Sequence, residues 1–244
     1  MYVWTILKDK QEYDTLMQDG ILYCDHSNNN VMVHEWPELK NCYDWIAQKL
    51  RAKTNRYWWY TLKYGIKNLV YPRWVWYKIE GNTNPMEINK CFYSGMPGDY
   101  KLLIFDIDSK YILLSDYDRW HLCMMRCHLE NSEEETNAWD KYVETCDIDY
   151  LKIFDDDYYN TLSVFKKNRV DYLRKSIIKS WDEVLDIDKE NDYSCMKNSE
   201  KTIQGVTWFF RKKDLCFATD FHISRKELDK YNEHLNSVDF PEYW

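Results

Sequence analysis

The sequence predicts a single α+β domain, and three observations lead there. Strand-like apolar runs and helix-periodic segments follow one another in irregular order, without the βαβ alternation of a doubly wound sheet. No repeat, low-complexity tract or Pro/Gly/Ser linker divides the 244 residues, a length that one domain can hold. Hydrophobic residues at 45% and charged residues at 30% give the balance of a folded chain rather than a disordered one.

The elements can be taken in order. Tyr2-Val3-Trp4-Thr5-Ile6-Leu7 is β-branched and aromatic and reads as a strand. Asp9 is placed to cap a helix whose Tyr13, Leu16 and Met17 share one face, and Gly20 ends it before a strand at Ile21-Leu22-Tyr23. A second helix is expected over about Glu38 to Lys53, with Cys42, Tyr43, Trp45, Ile46 and Leu50 turned to the core. Tyr71 to Ile79 reads as a strand with Pro72 near its start, since proline cannot donate to a ladder, and with Gly81-Asn82 ending it. Leu102–Phe105 and Tyr111–Leu114 read as two strands joined by the turn Asp106–Lys110. Ser115-Asp116-Tyr117-Asp118 matches a capping box opening a helix that runs to about His128. A charged helical stretch follows to about Ser180, then strands at Thr202–Phe210 and Leu215–Thr219, then a helix capped by Ser224 with Glu227 three residues on.

Composition narrows the function classes. The net charge is 33 − 41 = −8, spread along the chain, which argues against a general nucleic-acid binder that must displace counterions from phosphates. Lys49, Arg51, Lys53 and Arg56 read as a solvated helix face. The 12 Trp and 21 Tyr carry polar atoms that need partners when buried, so they imply a hydrogen-bonded core or an aromatic-lined groove. None of the eight cysteines forms a C-x-x-C pair, no cationic leader precedes an apolar segment, and no apolar run reaches the ~20 residues that span a bilayer. Reduced, mostly buried thiols, a cytoplasmic location and no membrane partner are therefore expected.

Motif chemistry is mostly excluded. With six glycines and neither G-x-G-x-x-G nor G-x-x-x-x-G-K-[ST], a Rossmann or P-loop phosphate cradle is absent, and there is no G-x-S-x-G elbow. On a helix, Cys123 and Cys127 share a face while His121 points elsewhere, and His121 and His128 stand two turns, roughly 10 Å, apart. Four ligands of one zinc ion need closer pairing, so no metal is expected. The acidic runs Glu133–Glu135 and Asp155–Asp157 read as solvated surface.

Several stretches resemble an uncharacterised bacterial and phage domain family: Trp4-Thr5-Ile6 with Leu16 and Gly20-Ile21-Leu22, Tyr71-Pro72-Arg73-Trp74-Val75-Trp76-Tyr77, Leu113 to His121, and Ile203-Gln204-Gly205. The block order is also similar to mono-ADP-ribosyltransferases of the DNA-modifying toxin type. That resemblance implies a split, mixed or antiparallel β-sheet with flanking helices, binding NAD as co-substrate without a Rossmann loop. It implies that Trp4 and Thr5 lie against the nicotinamide ribose and that Trp74, Trp76 and Tyr77 line the nicotinamide pocket. Gln204 falls where such enzymes place their acidic residue, and Glu200, four residues earlier, is the alternative carboxylate. A neutral amide supplies no negative charge to a developing cation. The implied activity is NAD-dependent modification of a nucleic acid or protein in a bacterial or phage conflict system. The alternative from another class is a non-catalytic inhibitor or sensor whose acidic, aromatic surface meets a basic protein.

Overall fold

The elements run β1 (Tyr2–Leu7), α1 (Lys10–Asp19), β2 (Ile21–Tyr23), α2 (Lys40–Lys53), β3 (Arg73–Lys78), β4 (Gly98–Asp106), β5 (Leu113–Asp116), α3 (Tyr117–Met124), α4 (Glu133–Thr145), α5 (Asp156–Thr161), α6 (Val164–Ser180), β6 (Ile203–Thr207), β7 (Phe209–Arg211), β8 (Leu215–Ile223) and α7 (Arg225–Ser237). The computed structural model describes residues 1–8, 10–24, 39–54, 62–63, 71–190, 197 and 199–237, so the expected roles of Asp9, Glu38, Arg56 and Cys195 lie outside the described residues.

Six strands form one sheet in the order β5-β6-β3-β1-β4-β8, every neighbouring pair antiparallel, and β2 pairs with β7 in a small second sheet. The α+β class expected from the sequence is the class observed. β1 is internal, which is why its apolar run is nearly continuous: Val3 and Leu7 face one side, Trp4 the other, and all three are buried.

Antiparallel partners that stand opposite each other project to the same face. One face therefore carries Trp4, Trp76, Gln204 and Ser115 in a single row across β1, β3, β6 and β5, with Trp74, Val206 and Leu113 in the next row. Helices α2, α3 and α6 cover part of this face through Trp45, Trp120, Val170 and Leu173, while Phe92 and Tyr93 cover the Trp4 end. The opposite face carries Val3, Val75, Leu103 and Phe105 and packs against Leu16 of α1, Leu22 and Phe210. Phe105 and Phe210 stack at 4.6 Å. Burying a side chain such as Leu16 contributes about 1.5–3 kcal/mol.

Three expectations are corrected by packing. Leu102–Phe105 and Leu113–Leu114 are not neighbours: β4 and β5 are parallel and separated by β1, β3 and β6. The chain between them buries Ile107 and Ile112 in the core of the second face, so it is a crossover rather than a surface turn. Gly205 leaves room for that crossover, since a Cβ there would meet Leu114 Cδ2 at 2.9 Å, Ile112 Cγ2 at 3.0 Å and the Leu113 carbonyl oxygen at 3.1 Å.

The expected strand 202–210 divides at Trp208, sending β6 to the large sheet and β7 to the small one. Finally, α3 is capped by Asp116, which accepts from the Asp118 and Arg119 N–H groups at 3.1 and 3.2 Å, and it ends at Met124. Ser115 stays on β5. The acidic runs are the first turns of α4 and α5 or their cap, where carboxylates meet the positive end of a helix dipole. The Ser224–Glu227 capping box forms as expected, Glu227 N donating to Ser224 Oγ at 3.2 Å and Ser224 N to Glu227 Oε2 at 2.8 Å.

Candidate functional site

A tryptophan packed in a protein core normally finds an acceptor for its indole N–H. Trp181 donates to the Cys127 carbonyl at 3.0 Å and Trp208 to Thr54 Oγ1 at 3.1 Å. Trp4 and Trp74 differ. Their buried N–H groups lie beside the Tyr93 and Tyr43 phenols but make no hydrogen bond of ordinary geometry. Burial pushes the Tyr43 phenol up to about 12 and raises that of Tyr93, and in each case the indole N–H opposes the shift.

Two further polar atoms are bare on the same face. Ser115 is fully buried and Gln204 is 6% exposed, and neither Ser115 Oγ nor Gln204 Nε2 has a protein partner. An unpaired buried group of this kind costs on the order of 1–3 kcal/mol. These are the buried side-chain polar atoms without partners among the described residues, and they belong to adjacent positions of one sheet face. Such concentration singles out this face as the candidate site.

The wall beside the row is aromatic. Trp76 meets Phe92 at 5.4 Å and Tyr117 at 5.1 Å, and Tyr117 meets the His121 ring edge-on at 4.4 Å. Tyr117 is fixed at the first turn of α3 by its own N–H, which donates to the Thr202 carbonyl at 3.0 Å, two residues before Gln204.

Charged groups gather at this end of β3 and β6. Lys201 is buried, its Nζ 3.5 Å from Asp116 Oδ2 and donating to the Lys189 carbonyl at 2.6 Å. Glu80 takes a left-handed backbone, φ +48°, and its N–H donates to Thr202 Oγ1 at 3.0 Å. Gly81 follows at φ +79°, where a Cβ would stand 2.0 Å from the Ser199 carbonyl oxygen, so the end of β3 is held against the 199–200 turn.

Asp118 is reached by solvent, yet its carboxyl is pushed above the ordinary aspartate value by desolvation first and by the Asp116 carboxylate second, with His121 opposing. The His121 Nδ1 stands 2.9 Å from the Tyr117 carbonyl. A carbonyl only accepts, so Nδ1 carries the proton and Nε2 of the neutral ring is left as an acceptor.

The structure thus brings together Trp4, Trp74, Trp76 and Gln204 of the residues singled out from the sequence. It separates the others. Thr5 and Tyr77 project to the opposite face, where Tyr77 packs on the Val75 and Phe105 cluster. Glu200 is exposed in the turn beside Gly81, outside the row. Ser115, Phe92, Tyr117, Asp118 and His121 were missed as site residues. Ser115 to Asp118 drew notice as a helix start and within a stretch of family resemblance, and His121 was weighed only as a metal ligand and set aside.

A family model described as a domain of unknown function, DUF3841, matches residues 2–216. The chain belongs to this family. The DUF3841 match takes in every residue of the row and its aromatic wall, and it ends at Cys216, early in β8. No curated protein and no solved structure matches the chain. Among the described residues no group of three or more His, Cys, Asp and Glu could hold a metal ion, and no helix is long and apolar enough to cross a membrane.

Proposed function

We propose that the Trp4–Trp76–Gln204–Ser115 face receives the nicotinamide end of NAD and that this DUF3841 protein is an ADP-ribosyltransferase-like protein acting on a macromolecule of a bacterial or phage conflict system. One observation carries the proposal: the bare Gln204 amide and Ser115 hydroxyl stand in register beside the Trp76 ring, itself walled by Phe92 and Tyr117. A flat ring bearing a carboxamide fits such a surface, because the aromatic faces stack on the ring and the amide supplies the missing partners. The strands that carry Trp4, Trp76 and Gln204, β1, β3 and β6, are neighbours in the sheet, which supports the reading for these three residues, while Thr5, Tyr77 and Glu200 lie outside the row. Bound NAD supplies a ribose joined to a good leaving group. The chain's own residues would grip the ring, exclude water and present charge.

Ligand linkage gives the test. A site filled at about 100 times its Kd stabilises the fold by about 2.7 kcal/mol, so saturating NAD should raise Tm by several degrees. Trp76→Ala should abolish the shift. No shift with ~10 mM NAD, beyond the usual range of co-substrate affinities, would sink the proposal. Labelled NAD incubated with a lysate then asks for transfer onto protein or nucleic acid.

A second reading has one observation in its favour. Phe165 and Tyr172 of α6 are exposed and lie one heptad apart, with Tyr142 of α4 against Tyr172 at 5.4 Å, on a chain of net charge −8. α6 itself is rich in Lys and Arg, with Arg169 over the Phe165 ring at 4.4 Å, so the negative charge that suits a basic protein partner comes from the neighbouring α4, which carries Glu133, Glu134, Glu135, Asp140 and Glu144 beside Tyr142. Under that reading NAD would leave Tm unchanged.

A further inference from the structure

We infer that the α4–α6 face is where two copies of this chain meet about a twofold axis, α4 of each copy lying on α6 of the other. The inference goes beyond the nicotinamide site and does not rest on it. It names a second copy as the basic partner of α4.

The two helices lie side by side and run antiparallel. Lys166 Nζ meets Asp147 Oδ2 at 2.8 Å, Arg169 Nη1 donates to the Cys146 carbonyl at 2.7 Å, and the Tyr172 and Tyr142 rings stand edge-on at 5.4 Å. Residue numbers thus rise along α6 as they fall along α4. Equal steps cover equal lengths of the two helices, so Lys175 stands at the level of Trp139 and Lys179 at the level of Glu135.

Apolar groups line two sides of α6. Val170, Leu173 and Ile177 are buried in the core. Phe165 and Tyr172, one heptad apart on another side, are 66% and 55% exposed. The Arg169 guanidinium lies 4.4 Å from the Phe165 ring and reaches across to the end of α4, so Phe165, Arg169, Tyr172 and Tyr142 form one continuous exposed patch. A contiguous apolar patch rimmed by charge marks a protein contact.

Charge selects the occupant. α4 carries five carboxylates and one lysine, an excess of 5 − 1 = 4 negative charges, whereas α6 carries six Lys and Arg and one Asp, an excess of 6 − 1 = 5 positive charges. A foreign basic partner laid across both helices would be attracted by α4 and repelled by α6. A second copy, turned about a twofold axis running along the helices, answers both: its α6 covers α4 and its α4 covers α6, a closed isologous pair. That axis keeps each residue at its own level. Lys175 and Lys179 of one copy therefore meet the acidic half of α4 in the other, near Asp140 and Glu134. All four side chains are exposed and make no ion pair with the described residues.

Charge reversal tests the pairing. Sedimentation of the full chain at about 100 μM, far above the micromolar Kd of a modest interface, should return a dimer of 2 × 30.0 = 60.0 kDa. Tyr172→Ala should weaken the dimer by about tenfold or more. The double variants Lys175→Glu/Lys179→Glu and Glu134→Lys/Asp140→Lys should each be monomeric, with Tm showing that the fold is kept. Mixed in equal amounts they should dimerise again, because α4 and α6 then carry opposite charges at both contacts. A foreign partner, or a dimer through any other face, predicts no such rescue. A monomeric wild type, a reversed variant that stays dimeric or a mixture that stays monomeric overturns the inference. None of these residues belongs to the Trp4–Ser115 row, so any NAD-dependent rise in Tm should persist in every variant and reports on that site separately.

Discussion

Ser115 and Gln204 stand directly opposite each other across the β5–β6 pair, both buried, with the serine hydroxyl and the glutamine amide nitrogen each lacking a protein partner. Substitutions that remove only unsatisfied atoms should cost little. Ser115→Ala is expected to change stability by less than about 1 kcal/mol, and Gln204→Met to be neutral or stabilising by up to about 1 kcal/mol, while Gln204→Met loses the NAD-dependent rise in Tm. Ser180→Ala is the control. Its hydroxyl accepts from Leu129 N at 2.9 Å and donates to the Ile177 carbonyl at 2.7 Å, so its loss should cost about 1–3 kcal/mol. Urea denaturation of the three variants checks the order, and a strongly destabilised Ser115→Ala would mean that its hydroxyl is satisfied after all.

Two glycines should be intolerant for different reasons. Gly81→Ala adds a left-handed residue and a collision with the Ser199 carbonyl oxygen at 2.0 Å, and neither backbone segment can yield cheaply. A loss of about 2–4 kcal/mol is expected. Gly205→Ala meets the Leu114 and Ile112 side chains and the Leu113 carbonyl, a milder overpacking of about 1–3 kcal/mol. Calorimetric Tm values should fall in that order, with Gly81→Ala lower.

Asp118 predicts a pH dependence of stability. Its folded pKa is raised above the ordinary 3.8, so the folded state holds the proton longer than the unfolded chain does. Any stability linked to it is fully present below pH 3.8 and is lost as pH rises through the higher folded value. Asp118→Asn should therefore raise Tm at pH 7 and leave it unchanged at pH 3. A variant less stable at pH 7 would show that the carboxylate is held by favourable contacts instead.

Thiol chemistry should follow burial. Burial lifts the Cys42 thiol to about 12 and raises Cys123 and, less severely, Cys127, whereas Cys216 is exposed. The thiolate is the reactive form, so at neutral pH an aromatic disulfide reagent should modify Cys216 quickly and reach Cys42 and Cys123 only with global unfolding. Peptide mapping after timed quenching reads this directly. Rapid modification of Cys42 in the native protein would contradict the packing of α2.

What the amino-acid sequence determined was local. The apolar run of β1, the face of α2 made by Cys42, Trp45, Ile46 and Leu50, the end of β3 at Gly81 and the Ser224–Glu227 cap follow from periodicity, backbone permission and side-chain hydrogen bonding within a few residues. Gln204 and the tryptophans of β1 and β3 could be suspected from their types, because an amide or indole among apolar strand residues needs a partner.

Their meeting was decided only by tertiary structure. The pairing of β1 with β3 and of β3 with β6 spans separations that no local signal encodes, and β4 and β5, adjacent in sequence, end up three strands apart. Strand register then sorted the candidates: with side chains alternating at a period of two, Trp4 and Trp76 joined Gln204 while Thr5 and Tyr77 turned to the other face. Ser115 escaped notice because Asp116 took the cap that its own position advertised, leaving the hydroxyl on the strand opposite Gln204.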